Sequence, residues 1–235
     1  MIAPMKNCLA LGYAVLAAAI LAAPASAGRF TNFVELAPDD AQQIKHLAVV
    51  SFLGDTLRGA KRGLTLFQSK SFDAKVPDWG LDAVIRTDMQ SRVVASRRIK
   101  GSVDVLVVPV SDKKVILDLA REGGFDAVIA ALPERVPEFP MVDYSPAILS
   151  QGDLYACAGM AIHIWRVSDG KQIAVSQPGQ CSFGMPLKGV AWHDNWNDFT
   201  DDEKRTTLEG VRAFILQKIA FAFDELALQP HRPGT

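Results

Sequence analysis

VDVLVVPVSDKKVILDLAREGGFDAVIAAL, residues 103–132, decides the fold class of this chain. Val103 to Val110 is apolar and mostly β-branched apart from Asp104 and Pro109, and reads as a buried strand. Ser111 is placed to cap a helix over Asp112 to Glu122, and Gly123-Gly124 ends it. Phe125 to Leu132 then reads as another strand. Upstream, LAVVSFL (47–53) is a similar buried strand bounded by Gly54-Asp55. A helix from about Trp79 to Ser96 follows, capped by Asp78 and striped by Leu81, Ile85, Met89 and Val93 at a spacing of four. Strand, helix, strand, helix, strand is the order of parallel strands joined by right-handed crossovers. On this reading Val49 and Val107 are buried in central parallel strands.

The segments between and beyond these elements are less regular. Thr56 to Val76 reads as a loop or hairpin, with a further strand over Leu64 to Gln68. Pro133, Pro137, Pro140 and Pro146 exclude regular structure from 133–146, a loop long enough for a site or a partner surface. Met160 to Val167, Ser168-Asp169-Gly170 and Lys171 to Gln177 form a hairpin with apolar residues on both faces, as expected of an interior strand. Pro186 to Phe199 is a Trp-rich connection. Thr200-Asp201-Asp202-Glu203 is a capping box opening a helix to about Leu226, with Leu208, Val211, Ile215, Ile219 and Ala222 on one face. The expected class is α/β: one three-layer-like domain, a mixed sheet of parallel crossover strands plus an antiparallel hairpin, with helices packed on it. Its expected organisation is a signal peptide (1–27), an irregular arm (28–45), the domain (46–228) and a tail (229–235).

The first 27 residues give the address. Lys6 precedes an apolar run from Leu9 to Ala23, and Pro24-Ala25-Ser26-Ala27 ends in a small-x-small cleavage site. The run is short for a membrane span, which needs ~20 residues; an uncleaved anchor is the competing reading. The expected location is the periplasm or the exterior. Without Lys6, the 25 basic residues become 24 against 26 acidic ones. So neutral a balance argues against a dedicated nucleic-acid partner. No later segment is apolar enough to cross a membrane.

Cleavage also removes Cys8 and leaves Cys157 and Cys181, an even pair that in an exported protein favours a disulfide. If the hairpin has a three-residue turn, Val167 faces Lys171 and the same register sets Cys157 opposite Cys181. A two-residue turn would set Cys157 opposite Ser182 instead, and Pro178-Gly179 could break the ladder before the cysteines meet.

No nucleophile elbow, zinc-protease helix or phosphate loop is present, so neither catalytic residues nor a metal or cofactor site is assigned. His46, His163, His193 and His231 are scattered. The one loop with binding chemistry is Trp192, His193, Asp194, Asn195, Trp196, Asn197 and Asp198. Two indoles, an imidazole and several oxygens suit a sugar, a cation or a partner surface, although the spacing fails the calcium-loop pattern. The alternative is that the tryptophans pack the helix start against the sheet.

LAVVSFLGD (47–55), GFDAVIAAL (124–132) and GMAIHIWRVSDGKQIAVS (159–176) resemble landmarks of the exported α/β group that includes the TolB amino-terminal domain and the curli-secretion lipoproteins. The resemblance spans about residues 47–178. It departs at Ala130-Ala131, where the group often has a Gly-containing pair, and it lacks the lipid-bearing Cys. No functional residue carries over. The resemblance implies an accessory or assembly role in the envelope, through an unidentified protein partner. The second reading is a small periplasmic enzyme or ligand binder using the 133–146 and 192–198 loops.

Two outcomes are expected of protein recovered from the periplasm. Amino-terminal sequencing reads Gly-Arg-Phe-Thr; full-length chain in the membrane fraction would instead make the apolar run an anchor. Thiol titration of the unfolded, non-reduced mature chain finds no free thiol, and two free thiols would remove the bridge.

Overall fold

The computed structural model describes residues 33–63, 68–134, 146–178 and 184–229. Three parallel strands come from the segments 47–53, 103–110 and 125–132. Strand β2 (His46–Ser51) pairs in parallel with β5 (Ser102–Val105) on one side and β6 (Ala127–Pro133) on the other. Strand β9 (Met160–Arg166) pairs antiparallel with β6, then with β10 (Gln172–Ser176), and β1 (Phe33–Val34) closes that side. The six-stranded order is β1-β10-β9-β6-β2-β5. A second sheet, in the order β11-β8-β7-β3-β4, is built from β3 (Thr56–Lys61), β4 (Lys70–Lys75), β7 (Ala147–Gln151), β8 (Asp153–Cys157) and β11 (Met185–Pro186). The fold is α/β, with two mixed sheets in place of the one expected.

The helices are α1 (Pro38–Gln43), α2 (Leu81–Ser96), α3 (Lys113–Glu122) and α4 (Asp201–Glu225). The chain runs from β2 through α2 to β5, then back over β2 through α3 to β6. Crossovers of one hand that travel in opposite directions along a sheet must use opposite faces. Accordingly α2 lies on one face of β2 with α4, and Ile116, Leu117 and Ala120 of α3 lie on the other, against Ala48, Val50, Val128 and Ala130. This two-sided cover is why Leu47 to Ser51 are all buried. The main core joins Leu47, Val49, Ile129, Ile162 and Ile164 of the first sheet to Leu57, Ile148, Leu154 and Ala156 of the second. Ile85, Met89, Phe214, Ile215, Ile219 and Phe223 of α2 and α4 complete it.

Several sequence expectations need correction. Residues 103–110 are not a buried central strand. β5 ends at Val105 and is the edge of its sheet, and Val105, Val107 and Val110 are 41%, 68% and 42% exposed. An apolar run does not distinguish a covered strand from an edge whose outer side has no neighbour in the chain. Asp78 does not cap α2: Pro77–Trp79 forms a 3-10 turn, and Gly80, in the left-handed region (φ 61°), precedes the helix. Asp112, rather than Ser111, caps α3 by accepting from Val115 N at 3.0 Å. The arm expected to be irregular carries β1 and α1 among its described residues.

Gly170 takes the expected left-handed conformation, at φ 67°, but Arg166 rather than Val167 faces Lys171, with Arg166 N donating to Lys171 O at 2.9 Å. The predicted register holds from Ala174↔Ile164 onward, after a one-residue shift near the turn. It does not reach the cysteines, because the chain changes sheet at Ala158-Gly159. Cys157 lies on β8 of the second sheet, fully buried with Ala60, Ala147 and Leu149. The hairpin ladder therefore supplies no geometry for the bridge. Cys181, residues 1–27 read as a signal peptide, most of the segment 133–146, Leu64 to Phe67, His231 and most of the segment 229–235 lie outside the described residues.

Val49→Asp is expected to abolish folding, because it leaves an unpaired carboxylate in the core. Val107→Asp is expected to change stability by no more than ~0.5 kcal/mol, as at ordinary surface positions. Thermal melts of the two variants check both.

Candidate functional site

The Trp192–Asp198 segment is assembled around one carboxylate, Glu203, at the third position of α4. Its Oε2 accepts from Thr200 N at 2.9 Å and Thr200 Oγ1 at 3.0 Å, while Thr200 Oγ1 accepts from Glu203 N at 3.2 Å. This is the capping box that the sequence signalled. Glu203 does more than close the helix: Oε1 accepts from Ala191 N at 3.1 Å, and His193 Nε2 lies 3.3 Å from Oε2. One side chain thus fixes the start of α4 and the loop before it. Hydrogen bonds to its charged form, led by that from Thr200 N and then Ala191 N, lower its pKa from 4.5 to about 2.

The aromatic residues turn inward. Trp192 and Trp196 pack at 5.5 and 6.5 Å from the ring of Phe72 on β4, with Phe199 6.0 Å from it. His193 meets Phe199 edge-on at 4.8 Å. The polar tips are engaged locally: Trp192 Nε1 donates to Asp194 Oδ1 at 3.0 Å, Lys70 Nζ lies 3.8 Å from Asp194, and Asn195 Nδ2 donates to Asp198 Oδ2 at 3.3 Å. The loop therefore joins the N-terminus of α4 to the second sheet, and its indoles serve mainly as packing surface. Trp192 also borders a cavity of about 490 Å³ with Ser150, Asp153 and Lys188. Pro133, the described start of the other candidate loop, lines a different cavity of about 510 Å³ with Leu53, Arg58 and Asp73. No residue lines both.

The other histidines are placed apart. His163 stacks on Trp165 at 5.0 Å and meets Gln172 Oε1 at 2.9 Å, while His46 meets Asp104 at 2.9 Å at the opposite end of the first sheet's parallel part. Among the described residues, no three His, Cys, Asp or Glu side chains come together as a metal centre.

Sequence reading missed Asp82. Its carboxylate accepts from Ser51 Oγ at 2.6 Å, Leu53 N at 2.8 Å and Gly54 N at 3.1 Å, pinning the chain as it leaves β2. An acid in the first turn of a helix is common, and its partners lie 28 to 31 residues away. Only the crossover geometry reveals them.

No protein-family model matches the chain, and no curated protein matches it significantly. Among solved structures, the chain is similar to the PelC dodecamer from Paraburkholderia phytofirmans, at 11% identity over 85% of this chain and 98% of that one, with a TM-score of 0.35. It is also similar to a DUF330 protein from Xanthomonas campestris, at 10% identity over 78% and 85%, with a TM-score of 0.38. Likenesses with such scores carry no inference about this chain, and neither belongs to the TolB or curli group.

The lowered pKa of Glu203 has a pH signature. Its stabilising contribution is fully present above the unfolded-state value near 4.5 and is lost as pH falls through about 2. Glu203→Gln is therefore expected to melt earlier than wild type at pH 7, with the gap narrowing as pH falls from 4.5 towards 2. A gap independent of pH over that range would contradict the role given to the carboxylate.

Proposed function

We propose that the mature chain is an exported envelope module that works by adding an extended segment of another envelope protein to the open edge of β5. Export is supported by the n-region, apolar run and small-x-small site of residues 1–27. Among the described residues no helix is long and apolar enough to cross a membrane. In an oxidising compartment, Cys157 and Cys181 are proposed to be bridged. The domain is proposed to span 46–228, and β1 and α1 of the preceding arm pack onto it.

The observation that carries the reading is the condition of that edge. Ser102 N donates to Lys45 O at 2.9 Å and Leu106 N to Val49 O at 3.0 Å, so alternate residues of β5 face β2. Val103 and Val105 therefore direct their backbone groups away from the sheet. Gln90 Nε2 occupies Val103 O at 2.7 Å, which blunts the first half of the edge. The backbone groups of Val105 are left outward, and Val105, Val107 and Val110, on the strand and the segment that follows it, are 41%, 68% and 42% exposed. An edge with outward amides and flanking valines has the properties of strand-addition sites.

Val105→Pro removes the outward N–H and leaves the bonds to β2, since Pro is tolerated where an edge N–H faces solvent. With a photo-cross-linker at Val107 in cells, one partner band is expected in wild type and its loss in Val105→Pro. A control cross-linker at exposed Ser71 should give none. An unchanged band in Val105→Pro, or equal labelling from Ser71, would exclude strand addition.

A further inference from the structure

The two sheets end in four strands, β1, β5, β4 and β11. An open sheet edge offers its unpaired backbone groups to other chains, and native edges are blunted by charged residues or by proline. Three of the four carry such a device. β4 has Lys70, Asp73 and Lys75, and β11 has Pro186. β5 has Asp104, and Gln90 Nε2 covers Val103 O at 2.7 Å. β1 is Phe33-Val34, with neither a charge nor a proline, and no described strand lies beyond it.

The side chains of β1 are as open as its edge. Phe33 is 50% and Val34 55% exposed, although the strand is held on β10, with Phe33 opposite Ser176 and Val34 opposite Val175. Among the large apolar side chains exposed on the described residues, Phe33 is the one aromatic. Aromatic residues are enriched where protein surfaces meet. The residues before it in the sequence, Thr31 and Asn32, are uncharged. Glu35, which follows β1, already pairs with Arg98 at 3.3 Å.

We propose that two copies of the mature chain associate through β1, paired antiparallel across a two-fold axis. Charge favours a second copy as the occupant. A two-fold axis sets each edge residue beside its own counterpart or that residue's neighbour, so an unpaired charge at the axis meets a like charge. The run Thr31 to Val34 brings no charge to the axis. Pairing covers an aromatic and a branched aliphatic side chain from each copy, which are the groups that the free chain leaves in water. It joins the two six-stranded sheets edge to edge and leaves β5 at both far ends. The strand-addition edge therefore stays open in the dimer, and the association does not depend on that reading.

Sedimentation equilibrium of the mature protein, carried up to ~1 mM, is expected to show a reversible monomer–dimer equilibrium. Val34→Lys, at an exposed position that does not endanger folding, is expected to weaken the dimer at least tenfold by setting two ammonium groups close together. Val34→Glu is expected to do the same with two carboxylates. An equimolar mixture of the two variants is expected to associate again, because opposite charges then meet. Val105→Pro, altered only at the β5 edge, is expected to dimerise as wild type does. A chain that stays monomeric throughout would leave β1 to a different molecule or to none, and would overturn the proposal. Dimers that persist in Val34→Lys, that are lost in Val105→Pro, or that the mixture does not restore would overturn it as well.

Discussion

The structure depends on α4 being buried against two sheets at once. Val211, Phe214, Ile215, Ile219, Ala222 and Phe223 are all at most 1% exposed, and the core they join includes side chains of both sheets. Neither sheet shares a hydrogen-bonded ladder with the other. Their connection is therefore apolar burial on α2 and α4, together with the chain segments that change sheet. Each large side chain buried there is worth roughly 1.5–3 kcal/mol, so α4 acts as a shared wall more than as a cover for one face.

The Trp192–Asp198 loop and a cavity beside Trp79 are both arranged along that helix. Its first turn holds Glu203, which locks the Trp192–Asp198 loop, and two turns later Arg212 lines the cavity beside Trp79. At its last residue, Glu225 Oε2 accepts from Ser176 Oγ at 2.6 Å, tying the helix end to β10. The β5 edge is positioned by the other helix of the shared core, since Gln90 of α2 reaches its backbone.

The sequence reveals what repeats locally. The stripe Leu81, Ile85, Met89, Val93 is buried as its spacing implies, and the Thr200–Glu203 box forms with both of its reciprocal bonds. The β2 and β6 strands and the Asp169-Gly170 turn are also legible, because periodicity and turn chemistry act over a few residues. What escapes is set by neighbours distant in sequence. Whether VDVLVVPV is central or at an edge depends on whether another strand lies beyond it. That Cys157 belongs to a different sheet from β9 depends on a change of direction at Ala158-Gly159, which no local pattern marks. The Trp192–Asp198 loop shows the same limit: its composition suits a ligand, yet Phe72, more than a hundred residues earlier, is what its indoles meet.

Native-state hydrogen exchange in Ile219→Val tests most directly whether α4 makes the two sheets one cooperative unit. The lost methylene should cost ~0.5–1.5 kcal/mol. The account predicts that the opening free energies of amides in β7 and β8, and of those in β6 and β9, fall by the same amount. Amides of one sheet that open at a lower free energy than the other's, and do not respond to the substitution, would contradict it.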